Sequence, residues 1–322
     1  MLDTLLPLIR KTQSPLSPER FHEAVNVIFH DVEANHYDAV HADMWSSLGR
    51  QLNLLSEDVS GMVAEGARLL DVGCGTGLST QLLLDSSMGP KVSHATLADT
   101  SSRMIENAKR RARGWKIPFS VHCGSTSDIK DTFNVILICS VLHHIPNLSR
   151  FLTDISALQQ PGGIIMHLQD PNGDWLMDNQ YRERLSEFES TRPTPLNRKL
   201  LGMVPTAAKS WVKRILGMRN YIDEVNERLI QMKVVNKRMT EAEIWSVTDI
   251  HVDGLPYSVG KGISLRRMQD DLPDYRLVSA RSYGFYGYLE SELHGNFLQR
   301  ERELIGQRAL NGRYLAATWI KS

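Results

Sequence analysis

Between Ala67 and Gly77 the chain reads Ala-Arg-Leu-Leu-Asp-Val-Gly-Cys-Gly-Thr-Gly, and this stretch is where ligand chemistry is densest. Ala67, Leu69, Leu70 and Val72 are apolar enough for a buried parallel strand, with Asp71 where that strand ends. Gly73, Gly75 and Gly77 make a turn whose backbone N–H groups can approach a ligand with no Cβ in the way. Leu78–Leu84 follows with helical character. Strand, glycine turn and helix together offer a nucleotide both backbone donors and a helix N-terminus. A P-loop needs Gly-Lys-Ser/Thr closing the turn, and Leu78 follows Gly77 instead. A dinucleotide fingerprint needs its third glycine one residue later, where Leu78 stands. A tight turn with no ligand is the bland alternative.

Acids and imidazoles recur downstream at the ends of further expected strands. Val92–Ala98 reads as the second strand, and Asp99 ends it, 22 residues after Gly77. One helix plus one strand requires about that interval. Thr100 or Ser101 can cap the next helix, which carries Met104. Phe119–Cys123 reads as the third strand, followed by Gly124-Ser-Thr-Ser-Asp128. Phe133–Cys139 is a near-continuous apolar strand, as a sheet covered on both faces demands. It runs into Ser140-Val-Leu-His-His-Ile-Pro146. Histidine has the right pKa to take a proton from a hydroxyl or enol near neutral pH. Of two adjacent histidines, one is expected to face the pocket and one to pack inward, and both are candidates. Gln159-Gln-Pro-Gly-Gly163 precedes a fifth strand, Ile164–Leu168, whose end carries His167 and Asp170. Tyr275–Ala280 and Tyr314–Ile320 read as the last two strands.

The pattern Asp-x-Gly-x-Gly-x-Gly resembles motif I of the class I S-adenosylmethionine-dependent methyltransferases, and the later segments resemble that family's small-molecule type in the same order. The resemblance covers 156 residues, 67–172 and 273–322. It implies an α/β fold: a doubly wound, seven-stranded Rossmann-like sheet closed by an antiparallel edge. It implies S-adenosylmethionine as cofactor. The methionine end would lie near Asp71 and the Gly73, Gly75, Gly77 turn, since a carboxylate there suits its ammonium group. Asp99 would take the ribose hydroxyls, with Thr100 beside it and Met104 against the adenine. Many relatives carry Gly-Asp after the third strand, but this chain has Gly124-Ser125. The adenine contact therefore falls to Ser125 or Thr126, or to Asp128. Cys139 joins the cofactor set from the end of the fourth strand. His143 and His144 would lie over the methyl group as candidate bases, with His167, Asp170 and then His251 as alternatives. Tyr37 resembles the tyrosine of a lid helix that closes over the cofactor, with His36, Asp38 and His41 nearby. Tyr37, His41 and Trp45 also have the spacing of one ordinary packed helix face.

The expected organisation is an N-terminal helical lid over 1–60, a cofactor-binding core over 61–172, a helical cap insertion over 173–272, and C-terminal strands over 273–322. Thr240 and Glu243 form a capping box within the cap. The loop Ile250–Tyr257 makes His251 and Tyr257 second-tier candidates for acceptor contact. From Met177 to Thr240 there are 13 basic and 7 acidic residues. That is the one strong charge asymmetry, able to attract an anionic substrate, an acidic carrier protein or, through the amphipathic Lys209–Arg219 stretch, a membrane surface. A solvated helix face is the simplest explanation and the favoured one.

Composition bounds the rest. Lysine plus arginine number 37 and so do aspartate plus glutamate, which gives no global drive toward nucleic acid. The three cysteines, Cys74, Cys123 and Cys139, lie on or beside core strands. An odd, buried set points to reduced thiols and the cytoplasm. The first ten residues make no convincing signal peptide, and no apolar run reaches the roughly 18 residues of a transmembrane helix. The sequence thus reads as a methyltransferase that acts on a small-molecule substrate through O, C or N, without a metal, since no metal-ligand spacing is present. The alternatives are an RNA or protein methyltransferase, disfavoured by the missing Asn-Pro-Pro-Tyr-type motif, and a scaffold that binds the cofactor without transferring methyl.

Overall fold

A computed structural model describes residues 2–34, 36–40, 42–175, 178–192 and 221–322. Seven strands form one sheet: β1 (Ala67–Val72), β2 (Val92–Asp99), β3 (Phe119–Cys123), β4 (Phe133–Cys139), β5 (Gln159–Pro171), β6 (Tyr275–Tyr283) and β7 (Tyr314–Lys321). Their order is β3-β2-β1-β4-β5-β7-β6. β1 to β5 run parallel, and β7 lies antiparallel between β5 and β6. This is the expected doubly wound sheet with its antiparallel edge.

The described helices are α1 (Leu6–Thr12), α2 (Pro18–Glu33), α3 (Tyr37–Val40), α4 (Ala42–Val59), α5 (Leu78–Leu84), α6 (Ser102–Ala112), α7 (Leu148–Ala157), α8 (Asn179–Thr191), α9 (Tyr221–Gln231), α10 (Glu241–Thr248), α11 (Leu265–Asp271) and α12 (Gly295–Gly306). The central strands are apolar on both faces because helices cover both. Leu69, Val135, Leu137, Met166 and Leu168 pack with Leu48, Leu52 and Leu55 of α4 and Ile305 of α12. The alternate residues Leu70, Ile136, Ile138 and Ile165 pack with Leu152 and Ile155 of α7 and Met268 of α11. Period-two alternation thus assigns neighbouring residues to opposite cores.

Two features differ from the sequence reading. The Gln159–Gly163 junction is part of β5 itself. Phe133 pairs with Gln159, but Val135 pairs with Ile164, so Pro-Gly-Gly is accommodated as a bulge with Gly162 at φ 73°. The cap is also not a separate layer. Ile222, Val225 and Leu229 of α9 and Ile244 and Val247 of α10 share one buried cluster with Leu5, Leu8, Phe21, Val25 and Phe29 of the N-terminal helices. The lid and the described part of the cap make one roof. The capping box on α10 is present, with Thr240 Oγ1 accepting from Glu243 N and Glu243 Oε2 accepting from Thr240 N.

Of the basic 177–240 region, Met177 and residues 193–220, the Lys209–Arg219 stretch among them, lie outside the described residues, as does His41. No described helix is long and apolar enough to cross a membrane.

Candidate active site

A cavity of about 430 Å³ opens at the C-terminal ends of β1, β2 and β4. That is where an open α/β sheet binds ligands, at the point where strand order reverses. The backbone shapes its floor. Gly73 has φ 65°, and a Cβ there would lie 2.4 Å from the Val141 side chain, so only glycine lets the β1 and β4 turns meet. Gly75 lines the cavity beside it. Gly77 does not: it caps α5 at φ 77°, where a Cβ would lie 3.3 Å from the Ala108 side chain of α6.

Asp99 lies at the cavity wall, where its Oδ2 accepts from Gly75 N at 2.9 Å and its Oδ1 from Ser101 N at 2.8 Å. Each oxygen keeps a second acceptor site for a ligand hydroxyl. Burial raises the Asp99 pKa, although those N–H groups and the nearby His30 act against the rise. Ser101, not Thr100, caps α6, accepting from Met104 N at 3.1 Å. Thr100, Met104, Ser125, Thr126, Cys139 and Tyr37 all line the cavity, while Asp128 does not. The Cys139 thiol is pushed well up by burial.

Asp71 is absent from the wall. It is fully buried, and its Oδ2 accepts from the hydroxyls of Ser79 at 2.7 Å and Thr80 at 2.6 Å. It clamps the start of α5 under the glycine turn, and burial raises its pKa to about 6. Its other oxygen, Oδ1, has no protein partner. A Cβ-free cradle, a carboxylate with spare acceptor capacity and a volume inside the 300–1,000 Å³ range of ligand pockets fit an adenosyl group.

The roof comes from the N-terminal helices. Tyr37 packs against Trp45 with ring centroids 5.9 Å apart. Asp38 fastens α3 to the glycine turn: Thr76 Oγ1 donates to its Oδ1 at 2.7 Å, and Arg111 pairs with its other oxygen. Arg111 Nη1 also donates to the Thr76 carbonyl at 2.8 Å. Asn107 of α6 donates to the Ala34 carbonyl at 2.7 Å. His36 is exposed and is not among the residues that line this cavity.

A second cavity of about 780 Å³ lies beyond Ser140, which lines both. Its walls include Trp175, Tyr181, Trp245, Tyr288 and Tyr314. The adjacent histidines divide between the two spaces: His144 lines the first cavity and His143 the second. Neither is a plain core residue. His143 Nδ1 stands 2.8 Å from Asp170 Oδ1, which also accepts from His143 N at 3.1 Å. A carboxylate at Nδ1 makes that nitrogen the donor and leaves the Nε2 lone pair free. Burial alone would lower the His143 pKa, but the hydrogen bond and charge of Asp170, joined by Asp249, hold it above the ordinary value. His144 is driven well below its ordinary value by burial and by the neighbouring His143 and His30.

Local strain aims these groups. Ser140, just after β4, has φ 59°, and Gln169 sits in β5 at φ 68°. The β5–β7 register shifts between Leu168 and Asp170, a bulge that re-aims the strand end toward β4. Non-glycine residues at positive φ persist where the surroundings over-determine them, and they cluster at functional sites.

The other sequence candidates lie elsewhere. His167 is fully buried with neither ring nitrogen partnered, and burial lowers its pKa to about 4, so it is a neutral core residue. His251 is buried and bonds the Ile145 carbonyl through Nε2 at 2.8 Å. Tyr257 packs on the roof cluster. Their loop does reach the second cavity, through Val252, Asp253 and Leu255. Spacing could not have found Asp249, which stands 3.7 Å from His143 Nε2 and 3.3 Å from His144 Nδ1. It lies more than a hundred residues from both, and its position just after the capping-box helix was the one available signal.

The chain matches the family model described as a methyltransferase domain over residues 70–167. It is 36% identical over 108 residues to the lovastatin diketide synthase lovF of Aspergillus terreus, which covers 30% of this chain and 4% of that protein. It is 33% identical over 104 residues to a ubiquinone biosynthesis O-methyltransferase of Rhizobium leguminosarum, covering 31% of this chain and 39% of the relative. The matched segment thus spans well under half of either relative. Among solved structures, the plantazolicin methyltransferase BpumL in complex with SAH aligns over 99% of both chains with 14% identity and a TM-score of 0.48. Sheet order, the cavity at the strand ends and the matched segment make the core of this chain a member of the class I S-adenosylmethionine-dependent methyltransferases.

Proposed function

We propose that the protein transfers a methyl group to a small molecule held in the second cavity, on a hydroxyl or enol whose proton passes to His143. The observation that carries this reading is the shared wall at Ser140, with an imidazole backed by a buried carboxylate on the acceptor side. The bound cofactor supplies a methyl group already activated by its sulfonium charge.

The chain's own residues then align, exclude water and hold a proton. Gly73, Gly75 and Asp99 fix the cofactor at the strand ends. The aromatic walls of the second cavity desolvate a planar or largely apolar acceptor. His143 Nε2 takes the acceptor proton, and Asp170 stabilises the resulting imidazolium through Nδ1–H. Asp249, close to Nε2, adds to that stabilisation. Two relatives bear names from ubiquinone O-methylation and diketide synthesis, which supports a small acceptor of this kind. The reading includes a cytoplasmic setting, supported by three cysteines that are all free thiols, although only Cys74 and Cys139 are buried as expected and Cys123, at the end of β3, is exposed.

The test is His143→Ala, with turnover and cofactor affinity measured separately across a panel of small phenols and enols. We expect turnover to fall by about 10²–10⁴, with cofactor affinity unchanged within about twofold. Undiminished turnover on a protonated acceptor would remove His143 from the reaction.

A further inference from the structure

The fold assembles a metal-donor set that no spacing in the sequence announces. One ring nitrogen of His143, one of His144 and a carboxylate oxygen of Asp249 lie within 4.8 Å of one another. Asp249 Oδ1 is 3.7 Å from His143 Nε2 and 3.3 Å from His144 Nδ1. Two ligands about 2.0–2.1 Å from a shared ion stand roughly 3–3.5 Å apart, so these atoms need little movement to close on one.

The surroundings are those of a prepared ligand. Asp170 holds His143 Nδ1 at 2.8 Å, which leaves Nε2 as the coordinating atom on the Asp249 side. A carboxylate behind an imidazole fixes its tautomer and strengthens it as a metal ligand. The Thr248 carbonyl, 2.7 Å from His144 Nδ1, brings a further oxygen to the site. Coordination through that nitrogen moves the His144 ring proton to Nε2 and replaces the hydrogen bond to Thr248. His143 is buried, His144 and Asp249 are half-buried, and the second cavity gives an ion a path in.

We propose that His143, His144 and Asp249 bind one divalent transition-metal ion, and that the ion competes with the acceptor proton for His143 Nε2. Two imidazoles and a carboxylate favour the zinc class over calcium or magnesium, which prefer all-oxygen sites. With the Nε2 lone pair on the metal, His143 has none for the acceptor, so an occupied site silences transfer. This effect rests on the proposed role of His143. The binding does not.

The experiment titrates the untagged 322-residue chain with Zn²⁺ against a chromophoric chelator, with Mg²⁺ as control and Co²⁺ as a spectroscopic probe. We expect one Zn²⁺ per chain. Its affinity should fall at least about tenfold in Asp249→Asn and in His144→Ala, and about 10–100-fold in Asp170→Asn. Thermal unfolding and cofactor binding show whether each variant is folded. Absence of stoichiometric zinc binding overturns the proposal, and so does unchanged affinity in folded Asp249→Asn and His144→Ala proteins. Where a variant folds poorly, the parent's cobalt spectrum decides: nitrogen ligation supports the site and a fully aquated spectrum overturns it. In the activity arm, zinc should slow methyl transfer and a chelator restore it, and undiminished transfer by the zinc-loaded protein overturns the competition. If His143→Ala kept full turnover, the proton role would fail while the zinc titration still tested the site.

Discussion

The two cavities meet at one residue, Ser140, yet they are built in different ways. The first cavity is floored by the turns that follow β1, β2, β3 and β4, between residues 72 and 146. The second cavity, the proposed acceptor site, is made of side chains brought from Ser140 to Tyr314, by way of two strand ends, an insertion and the antiparallel edge. A floor of turns tolerates few residue types, because φ and Cβ clearance decide what fits. A wall of side chains can be rebuilt one residue at a time. The first cavity therefore carries a pattern that a sequence displays, and the second carries specificity that it does not.

The comparison breaks first at the histidine. His143→Ala should cost about 10²–10⁴ in turnover and leave cofactor affinity nearly intact. A matching loss of cofactor affinity would mean the two cavities are not separable. Asp170→Asn comes next, with turnover lowered about 10–100-fold, as for other groups that orient a functional imidazole. Its pH profile carries the sharper information. His143 must be neutral to accept a proton, so the rate rises with pH through its raised pKa. Removing the Asp170 charge lowers that pKa, and the acidic limb should move to lower pH. A limb that stays in place would assign it to another group.

On the other side of Ser140, Asp99→Ala should weaken cofactor binding by about 1.5–3 kcal/mol, the worth of a hydrogen bond to a charged group. Calorimetry that finds unchanged affinity would remove Asp99 from the ribose. The smallest effect is expected at the roof. Asp38→Ala releases α3 from Thr76 and Arg111, and cofactor affinity should fall by about 0.5–1.5 kcal/mol, with acceptor turnover at saturating cofactor nearly unchanged. A larger effect on turnover than on cofactor affinity would show that α3 serves the acceptor cavity as well.

How much was legible follows the same division. β1 to β4, the Gly73–Gly77 turn and Asp99 were readable because a doubly covered parallel strand and a left-handed turn leave few alternatives. The seat of Asp71 was not legible: a carboxylate at a strand end can face a ligand or cap the helix beneath it, and the Ser79 and Thr80 hydroxyls hold its Oδ2 under the turn. The histidine pair was legible as a pair. Its division between two cavities depends on the distortions at Ser140 and Gln169, which no propensity announces. Asp249 was invisible because its contacts cross a hundred residues of chain. The union of lid and cap was hidden for a similar reason, since an amphipathic helix shows that it needs a partner but not which one.

That union has a kinetic consequence. Helix α2 places His22 and His30 on the first cavity, while α10 and the residue after it place Trp245 and Asp249 on the second, and both helices share one buried cluster. A displacement that admits one ligand therefore disturbs the seat of the other. Thermodynamic reciprocity then requires that whatever factor the cofactor imposes on acceptor affinity, the acceptor imposes on the cofactor's. Calorimetry of each ligand with and without the other should therefore give the same factor in both directions.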